Sequence, residues 1–192
     1  MCTTQPIKNK EELNALKNYY LDQEYHPRNY ALINTGLNTA LRVGDLLSLK
    51  WKDVYDFSLD TFHTHLILTE AKTGKENCIA INQSVRQALS LYQSTLLCFR
   101  PQDYLFPGRS TDAPLSRSQA FRIIKHASAN LHLSDRISCH SLRKTFGYQA
   151  WASGANTTVL MLLYNHSSFQ VTKRYLGIDQ DDKDRVFLNL NL

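Results

Sequence analysis

Four side chains between residues 140 and 175 could carry out acid–base and phosphate chemistry together. His140 and Arg143 lie three residues apart in SCHSLRKTFGYQAWAS, where apolar residues recur at helical spacing, so both side chains share one face of a predicted helix. His166 and Tyr175 are nine residues apart and would lie on opposite sides of one continuous helix. We therefore predict a break after His166, with Ser168 capping a new helix that carries Tyr175.

A tyrosine hydroxyl beside two histidines and an arginine suits attack on a phosphate. The phenol can act as the nucleophile, a histidine can accept its proton, and the guanidinium fork can pair with two phosphate oxygens. Each piece alone is weak, because Tyr175 is one of ten tyrosines and a tyrosine near a helix end is ordinarily a core residue with its hydroxyl at the rim. The combination favours phosphoryl transfer.

Two stretches of the chain resemble the active site of one enzyme family. HSLRKTFG followed by LLYNHSSFQVTKRYLGI resembles the second half of the active site of the tyrosine recombinases, the phage-integrase family, and ALRVGDLLSLKWKDV resembles the first half. Asn165 departs from the pattern, since many members have glycine before the histidine. Over about residues 30–178 the resemblance implies a catalytic set in chain order: Arg42, Lys72, His140, Arg143, His166 and Tyr175.

The resemblance also implies a reaction. Tyr175 would attack a DNA phosphodiester, expel the 5′-oxygen and remain in a 3′-phosphotyrosine link. Arg42 and Arg143, with a hydrogen bond from His166, would neutralise the negative charge of the transition state. Since positive side chains fill that role, we expect no metal and no cofactor.

Arg42 stands at the start of a short predicted helix whose buried side is formed by Leu46, Leu47 and Leu49. The residues alone favour an ordinary surface ion pair between Arg42 and Asp45, three positions on. Family members usually have an acidic residue at this position, so the resemblance assigns Asp45 a supporting role in orienting the site.

Lys72 projects from a predicted β-hairpin. THLILTE and ENCIAIN alternate with a period of two on either side of a K-T-G-K turn, and a further strand near residues 53–57 would make a small three-stranded antiparallel sheet. The resemblance makes Lys72 the general acid for the departing oxygen and His140 the base or orienter of the phenol. Lys75 is a rival candidate, and a solvated turn lysine is the ordinary alternative.

The rest of the chain reads as mostly helical, which predicts an α+β fold, and the resemblance makes residues 1–178 a tyrosine-recombinase catalytic domain. Helices are predicted over residues 6–22, from Pro27 to the Thr35-Gly36 region, over 84–98, and after a capping Ser116. The last of these should bury Phe121 and expose basic side chains. A family helix here approaches DNA, although a solvated face explains the charges equally well: Arg117, Arg122 and Lys125.

Residues 179–192 form a tail with an acidic run followed by apolar residues. Such an apolar patch needs a cover, so we expect the tail to fold back on its own body or to dock on a neighbouring subunit, as is common in the family. Family members typically carry an additional N-terminal helical domain. The chain is therefore expected to be a natural minimal member or an excised catalytic domain, and Met1 followed directly by a helix favours the minimal form.

Composition limits the remaining possibilities. With 192 residues, 43% hydrophobic and 20% charged, the chain suits one well-buried core. It has no apolar run of membrane-spanning length and no signal-peptide core, which predicts a soluble cytoplasmic protein. The four cysteines lie far apart without metal-ligand spacing, so we expect small buried residues rather than disulfides or zinc ligands: Cys2, Cys78, Cys98 and Cys139.

The net charge of +5 suits a polyanionic partner without requiring one. We expect a site-specific recombinase acting on double-stranded DNA with inverted-repeat sites as a homo-oligomer, a tetramer, because every exchanged strand needs its own nucleophile. Integration, excision and inversion all remain open. The alternatives are a type IB topoisomerase-like relaxing enzyme with the same chemistry and a DNA-binding module without catalysis.

Overall fold

The computed structural model describes residues 4–190 apart from Thr111 and Asp135, together with every side chain in that range except those of Arg185 and Asn189. The predictions for Cys2 and Leu192 lie outside the described residues. The helices are α1 Lys10–Asp22, α2 Pro27–Thr39, α3 Val43–Ser48, α4 Trp51–Val54, α5 Gln83–Ser94, α6 Arg117–Asn130, α7 Cys139–Ala152, α8 Thr157–Tyr164, α9 Phe169–Leu176 and α10 Gln180–Asn189. The strands are β1 Tyr55–Asp56, β2 Thr61–Phe62, β3 His65–Thr69 and β4 Glu76–Ala80. None of the described helices is both long and apolar enough to cross a membrane.

Helix α2 lies at the centre of the fold, where it contacts α1, α5 and α7. It begins at Pro27 as predicted, because proline needs no backbone donor in the first helical turn. The predicted end at Thr35-Gly36 is wrong, since the helix continues to Thr39. Gly36 serves packing instead: a Cβ there would lie 2.8 Å from Leu142 Cδ1 and 3.2 Å from Leu46 Cδ2, so its absence lets α7 and α3 approach closely.

The predicted three-stranded sheet is replaced by two separate two-stranded sheets. Strand β1 pairs with β2 and strand β3 pairs with β4, both antiparallel. The reason is local: Asp56 accepts hydrogen bonds from the backbone N–H groups of Ser58 and Leu59, which closes a tight turn and returns the chain onto β1. Strand β1 therefore pairs with the segment directly after it rather than with β3.

The N-terminal segment runs along α7 before the first helix begins. Asn9 caps α1 by accepting from the N–H groups of Glu11 and Glu12, so the helix starts at Lys10 and not at Pro6. Upstream of the cap, Ile7 N–H donates to Thr145 Oγ1 at 2.9 Å. The residues before α1 are therefore held against the helix that carries the HxxR pair.

Helix α10 is anchored at its start and exposed at its end. Asp182 is buried, accepts from Lys8 Nζ at 2.8 Å and also accepts from the Tyr148 hydroxyl. Further along, large apolar side chains of the tail are 60–77% exposed: Val186, Phe187, Leu188 and Leu190. The first turn of the tail thus packs on its own body, whereas its apolar end has no cover in the described chain.

Two predictions about small and apolar residues are wrong. Cys78 and Cys98 are exposed rather than buried, and Cys139 is half-buried. Phe121 is 44% exposed, because the buried stripe of α6 runs through Ala120, Ile124 and Ala127 and leaves Phe121 one position to the side.

Candidate active site

Helix α7 presents the predicted HxxR pair. Its first turn carries a capping box between Ser138 and Ser141, which fixes where the helix begins and therefore where His140 and Arg143 point. Arg143 is buried, donates to the Ala40 carbonyl, and has its guanidinium carbon 4.7 Å from the centre of the Tyr164 ring. The clamp arginine is thus held rigidly by packing.

The break between His166 and Tyr175 is confirmed. Asn165 ends α8 in the left-handed region at φ 60°, a conformation that asparagine tolerates better than most side chains, so the turn forms without the glycine of other members. Ser168 caps α9 through Val171 N–H. His166 lies in the turn, where its Nδ1 is 3.0 Å from Thr172 Oγ1.

Gly147 allows the second half of the site to close. A Cβ at this position of α7 would meet Leu176 Cδ2 and the Tyr164 hydroxyl, each at 2.5 Å. The Tyr164 hydroxyl instead donates to the Arg143 carbonyl at 2.8 Å. The missing side chain therefore lets α8 and α9 pack directly on α7 and places Tyr175 beside the HxxR pair.

Tyr175 is surrounded by the residues that its proposed chemistry needs. Its ring centre lies 5.3 Å from that of His140 and 5.0 Å from that of His166. The hydroxyl is buried, and within the described part of the chain it has no hydrogen-bonding partner of standard geometry. Burial raises the pKa of Tyr175, while the charge of Arg143, the approach of its side chain to the hydroxyl and the charge of Arg42 act in the opposite direction.

Both histidines are neutral at neutral pH. Desolvation of the ring, with the charges of Lys144, Arg143 and Arg42, lowers the pKa of His140 to about 4, although part of the residue is exposed. Burial and the two arginines also lower the pKa of His166. Arg42 thus influences His140, His166 and Tyr175 from the other half of the site, which places its charge close to theirs.

The first half of the site is organised around two carboxylates. Arg42 occupies the position just before α3, and its Nη1 donates to Glu70 Oε2 at 2.6 Å, rather than to Asp45 as the residues alone suggested. Asp45 is buried, and its Oδ1 accepts from Ala71 N–H at 3.1 Å. Both contacts tie the β3–β4 hairpin to α3.

Lys72 is not brought into contact with the other five residues. It is exposed in the turn between β3 and β4, where no hydrogen bond or ion pair of its side chain is found among the described residues. Lys75, the rival, reaches the other half of the site instead: its Nζ donates to Asn165 Oδ1 at 2.7 Å, next to His166.

Two residues of the site escaped the sequence interpretation. Lys144 Nζ lies 5.4 Å from the centre of the Tyr175 ring and donates to the Thr4 carbonyl; burial lowers its pKa. Its position four residues after His140, on the same helical face, was the available signal. Glu70 continues the alternation of β3 on the inward side of Leu66 and Leu68, so period-two counting would have marked it as an inward-facing charge.

A groove leads from α6 to His140. It has a volume of about 590 Å³ and runs from Arg117, Phe121 and Arg122 to His140. The Arg117 guanidinium lies so close to Gly44 that a Cβ there would be 2.8 Å from Nη2. Lys125 lies on the same helix with Nζ 5.9 Å from the centre of the Phe121 ring. Two of the three predicted basic residues, Arg117 and Arg122, therefore line a groove that continues to His140.

Comparison with known proteins assigns the family. The sequence model of the phage integrase family matches residues 8–181, and the chain belongs to this family. Its class is accordingly that of the tyrosine-type site-specific DNA recombinases.

Individual relatives share different lengths with this chain. The probable integrase/recombinase YoeC of Bacillus subtilis (strain 168) is 38% identical over 181 residues, which cover 94% of this chain and 93% of YoeC. Tyrosine recombinase XerD of Halalkalibacterium halodurans is 24% identical over 186 residues, covering 94% of this chain and 60% of XerD. The chain thus matches YoeC over nearly its whole length and XerD over little more than half.

Solved structures show the same fold. XerA recombinase superposes with a TM-score of 0.77 at 20% identity, covering 97% of this chain and 64% of XerA. A lambda integrase dimer bound to a COC' core site gives a TM-score of 0.67 at 18% identity, covering 94% of this chain and 62% of that chain. The mostly helical catalytic-domain fold is therefore confirmed, with its strands in two small sheets.

Proposed function

We propose that this chain cleaves and rejoins DNA strands at specific sites through a 3′-phosphotyrosine intermediate on Tyr175. The observation that carries the proposal is the buried Tyr175 hydroxyl, which makes no hydrogen bond of standard geometry among the described residues and lies beside two neutral histidines and within the field of two arginines. A phosphate placed there would meet a nucleophile, a proton acceptor and positive charge together.

In the proposed step the Tyr175 oxygen forms a bond to phosphorus while the bond from phosphorus to the 5′-oxygen breaks. The phenol proton moves toward His140, which is neutral and can accept it. The phosphate also brings a negative charge that raises the affinity of this histidine for a proton. Lys72 supplies a proton to the leaving 5′-oxygen. A 5′-hydroxyl attacking the phosphotyrosine reverses every transfer and rejoins a strand without an external energy source.

Positive charge stabilises the transition state. Arg143, fixed by Ala40 and Tyr164, and Arg42, fixed by Glu70, donate to the equatorial phosphate oxygens, and His166 adds a hydrogen bond. Asp45 supports this arrangement by accepting a hydrogen bond from Ala71 N–H, which ties the hairpin to α3. Preorganised donors of this kind are typically worth about 10²- to 10³-fold in rate each.

Double-stranded DNA is the proposed partner, and α6 is the proposed contact surface. Arg117, Arg122 and Lys125 would bind phosphates or base edges, and the exposed Phe121 ring would contact a thymine methyl group or another apolar edge. The support is the continuity of the groove from this helix to His140.

Assembly into a tetramer on inverted-repeat sites is the matching proposal for the quaternary state. The uncovered apolar residues of α10, Phe187 and Leu188 among them, would be covered by a neighbouring copy, while Asp182 keeps the first turn of the tail on its own body. A surface of this kind favours contacts between copies.

The nucleophile is tested with a DNA duplex nicked just beyond the candidate site, so that cleavage releases a short fragment and traps the adduct. Wild-type protein should give a covalent protein–DNA band on a denaturing gel. Tyr175→Phe should bind the duplex equally well and give no band, because the ring remains and the attacking oxygen is gone. Tyr25→Phe, at an exposed tyrosine, is the matched control; an adduct that survives Tyr175→Phe rejects the assignment.

The assembly is tested by replacing the apolar side chains of the tail. Phe187→Ser with Leu188→Ser should abolish strand exchange between two duplexes while cleavage of the nicked duplex continues, since one copy suffices for cleavage. Leu97→Ser, at a fully exposed leucine away from the tail, should change neither. Normal strand exchange by the double variant would show that the tail makes no essential contact between copies.

A further inference from the structure

Glu70 is a buried acidic side chain at the base of the hairpin that carries Lys72. It is 5% exposed, and its Oε2 accepts two hydrogen bonds, from Arg42 Nη1 at 2.6 Å and from Thr73 Oγ1 at 2.7 Å. A single carboxylate oxygen thus joins the first arginine clamp to the turn that contains the lysine.

The backbone of Glu70 closes the same turn. Its N–H donates to the Lys75 carbonyl, and its carbonyl accepts from Gly74 N–H, both at 2.9 Å. Lys72 lies between these two anchoring points. Glu70 therefore holds the lysine-bearing turn through its backbone and, at Thr73, through its side chain.

The carboxylate is charged at neutral pH. Burial alone would raise the pKa of Glu70, but the hydrogen bonds from Thr73 and Arg42 and the charges of Arg42 and Arg143 outweigh it and hold the pKa below its ordinary value. Arginine has five N–H donors, and the contact with Glu70 uses Nη1. Donors on the rest of the guanidinium can still pair with a phosphate while the carboxylate fixes the plane of the group.

We propose that Glu70 is a positioning residue that couples the two parts of the first half of the active site. It orients the Arg42 guanidinium toward the phosphate and holds the turn that presents Lys72 to the leaving oxygen. This inference rests on the proposed function, in which Arg42 stabilises the transition state and Lys72 protonates the 5′-oxygen. It assigns Glu70 no contact with DNA.

The test compares two nicked duplexes, one ordinary and one with sulfur in place of the 5′-bridging oxygen at the scissile phosphate. A thiolate leaves without being protonated, so a defect in the proton donor disappears on the sulfur duplex, whereas a defect in the arginine clamp persists. Lys72→Met is the reference and should be slow on oxygen and nearly normal on sulfur. Thr73→Val, which removes the hydroxyl and keeps the shape of the side chain, should behave the same way.

Glu70→Ala should lose both functions. On the ordinary duplex we expect cleavage about 10²-fold slower than wild type, the size of effect that a displacement of about 1 Å in a catalytic group can cause. On the sulfur duplex the rate should recover only in part, because Arg42 remains unoriented. Glu70→Gln, which keeps an acceptor oxygen for both partners, should show the smaller defect of the two.

Matched controls separate a local role from a general one. Glu76→Ala removes an exposed carboxylate from the same hairpin and should cleave both duplexes at the wild-type rate. Circular dichroism should be unchanged in all variants, and cleavage rates are compared with the duplex fully bound, so that differences in DNA affinity do not enter.

Several outcomes overturn the proposal. Faster cleavage by Glu70→Ala or Glu70→Gln would mean that Glu70 blocks Arg42 from the phosphate. A defect no larger than that of Glu76→Ala would leave Glu70 without a positioning role, and an equal loss on both duplexes with a reduced folded fraction would make it a purely structural residue. If wild-type protein forms no adduct, or if Lys72→Met is not rescued by sulfur, the assigned chemistry itself fails and this inference falls with it.

Discussion

Around Tyr175, the half of the site carried by α7, α8 and α9 is held by packed rings and buried groups, whereas the half carried by α3 and the β3–β4 hairpin is held by polar side-chain contacts. Arg143 is buried over the Tyr164 ring. Arg42 is a quarter exposed and relies on Glu70. The two clamps have the same chemical type and are fixed by different forces.

Because of this difference, the half carried by α7, α8 and α9 is rigid, whereas the hairpin half can adjust. Packing fixes the nucleophile and one clamp even without DNA, because the rings and backbones of α7, α8 and α9 leave little room for alternative positions. In the other half Glu70 holds the base of the hairpin, but the Lys72 side chain is exposed beyond it and can change conformation at small energetic cost. Lys72 can therefore reach its working position as DNA arrives, while Tyr175 is already in place.

The largest expected effect comes from exchanging the guanidinium forks for ammonium groups. Arg143→Lys and Arg42→Lys should each slow adduct formation on the order of 10²-fold, since a lysine cannot reproduce the planar donor set. Arg143→Lys should also lower the free energy of unfolding by about 1–3 kcal/mol, because it loses the bond to the buried Ala40 carbonyl and the contact with Tyr164. Arg42→Lys keeps a cation beside Glu70 and should change stability little.

Single-turnover cleavage and urea denaturation of the same preparations provide both measurements. Equal loss of stability in the two variants would show that the two halves of the site are held by similar forces.

A smaller effect is expected from adding one carbon where the packed half is tightest. Gly147→Ala should lower the free energy of unfolding by about 1–3 kcal/mol, because the new Cβ would overlap Leu176 and Tyr164, and it should slow cleavage by moving α9. Gly44→Ala is the control, since there the added carbon meets only the flexible end of Arg117. Thermal denaturation of both variants checks this, and a wild-type melting temperature for Gly147→Ala would refute the tight packing.

The smallest effect is electrostatic and concerns His140, which lies between the halves. In the free protein its ring should titrate in NMR with a midpoint of about 4, well below the ordinary value near 6.5, and the midpoint should rise when DNA phosphate is bound. Because the folded-state pKa is lowered, the contribution of His140 to stability is complete above about pH 6.5 and is lost as the pH falls toward 4. His140→Gln should remove that part of the pH dependence, and a midpoint near 6.5 in the free protein would contradict the desolvation of the ring beside these cations.

The sequence predicted the packed half more fully than the polar half. Helical spacing was enough to put His140 and Arg143 on one face, and the capping serine was enough to locate the break before Tyr175, because both depend on neighbours within a few residues. The family resemblance supplied Arg42 and Lys72. Spacing could not reveal that Arg42 would pair with Glu70, 28 positions away, instead of Asp45.

The two errors in the fold have different origins. Gly36 looked like a helix stop, but it is needed for contact with Leu142, more than 100 residues later in the chain. Strand β1 was assigned to the wrong sheet because the turn closed by Asp56 gave it a nearer partner. The first error comes from a distant contact that single-sequence patterns do not specify, and the second from a local turn at Asp56 that the interpretation overlooked.

The central claim, that Tyr175 becomes joined to DNA, is tested most directly by locating the attached nucleotide. Trypsin should release residues 175–183 from a trapped adduct, a peptide whose only tyrosine is Tyr175. After nuclease digestion, mass spectrometry should find this peptide carrying a 3′-linked nucleotide phosphate and the other tyrosine peptides unmodified. A nucleotide on any other tyrosine, or a linkage through a 5′-phosphate, would contradict the account.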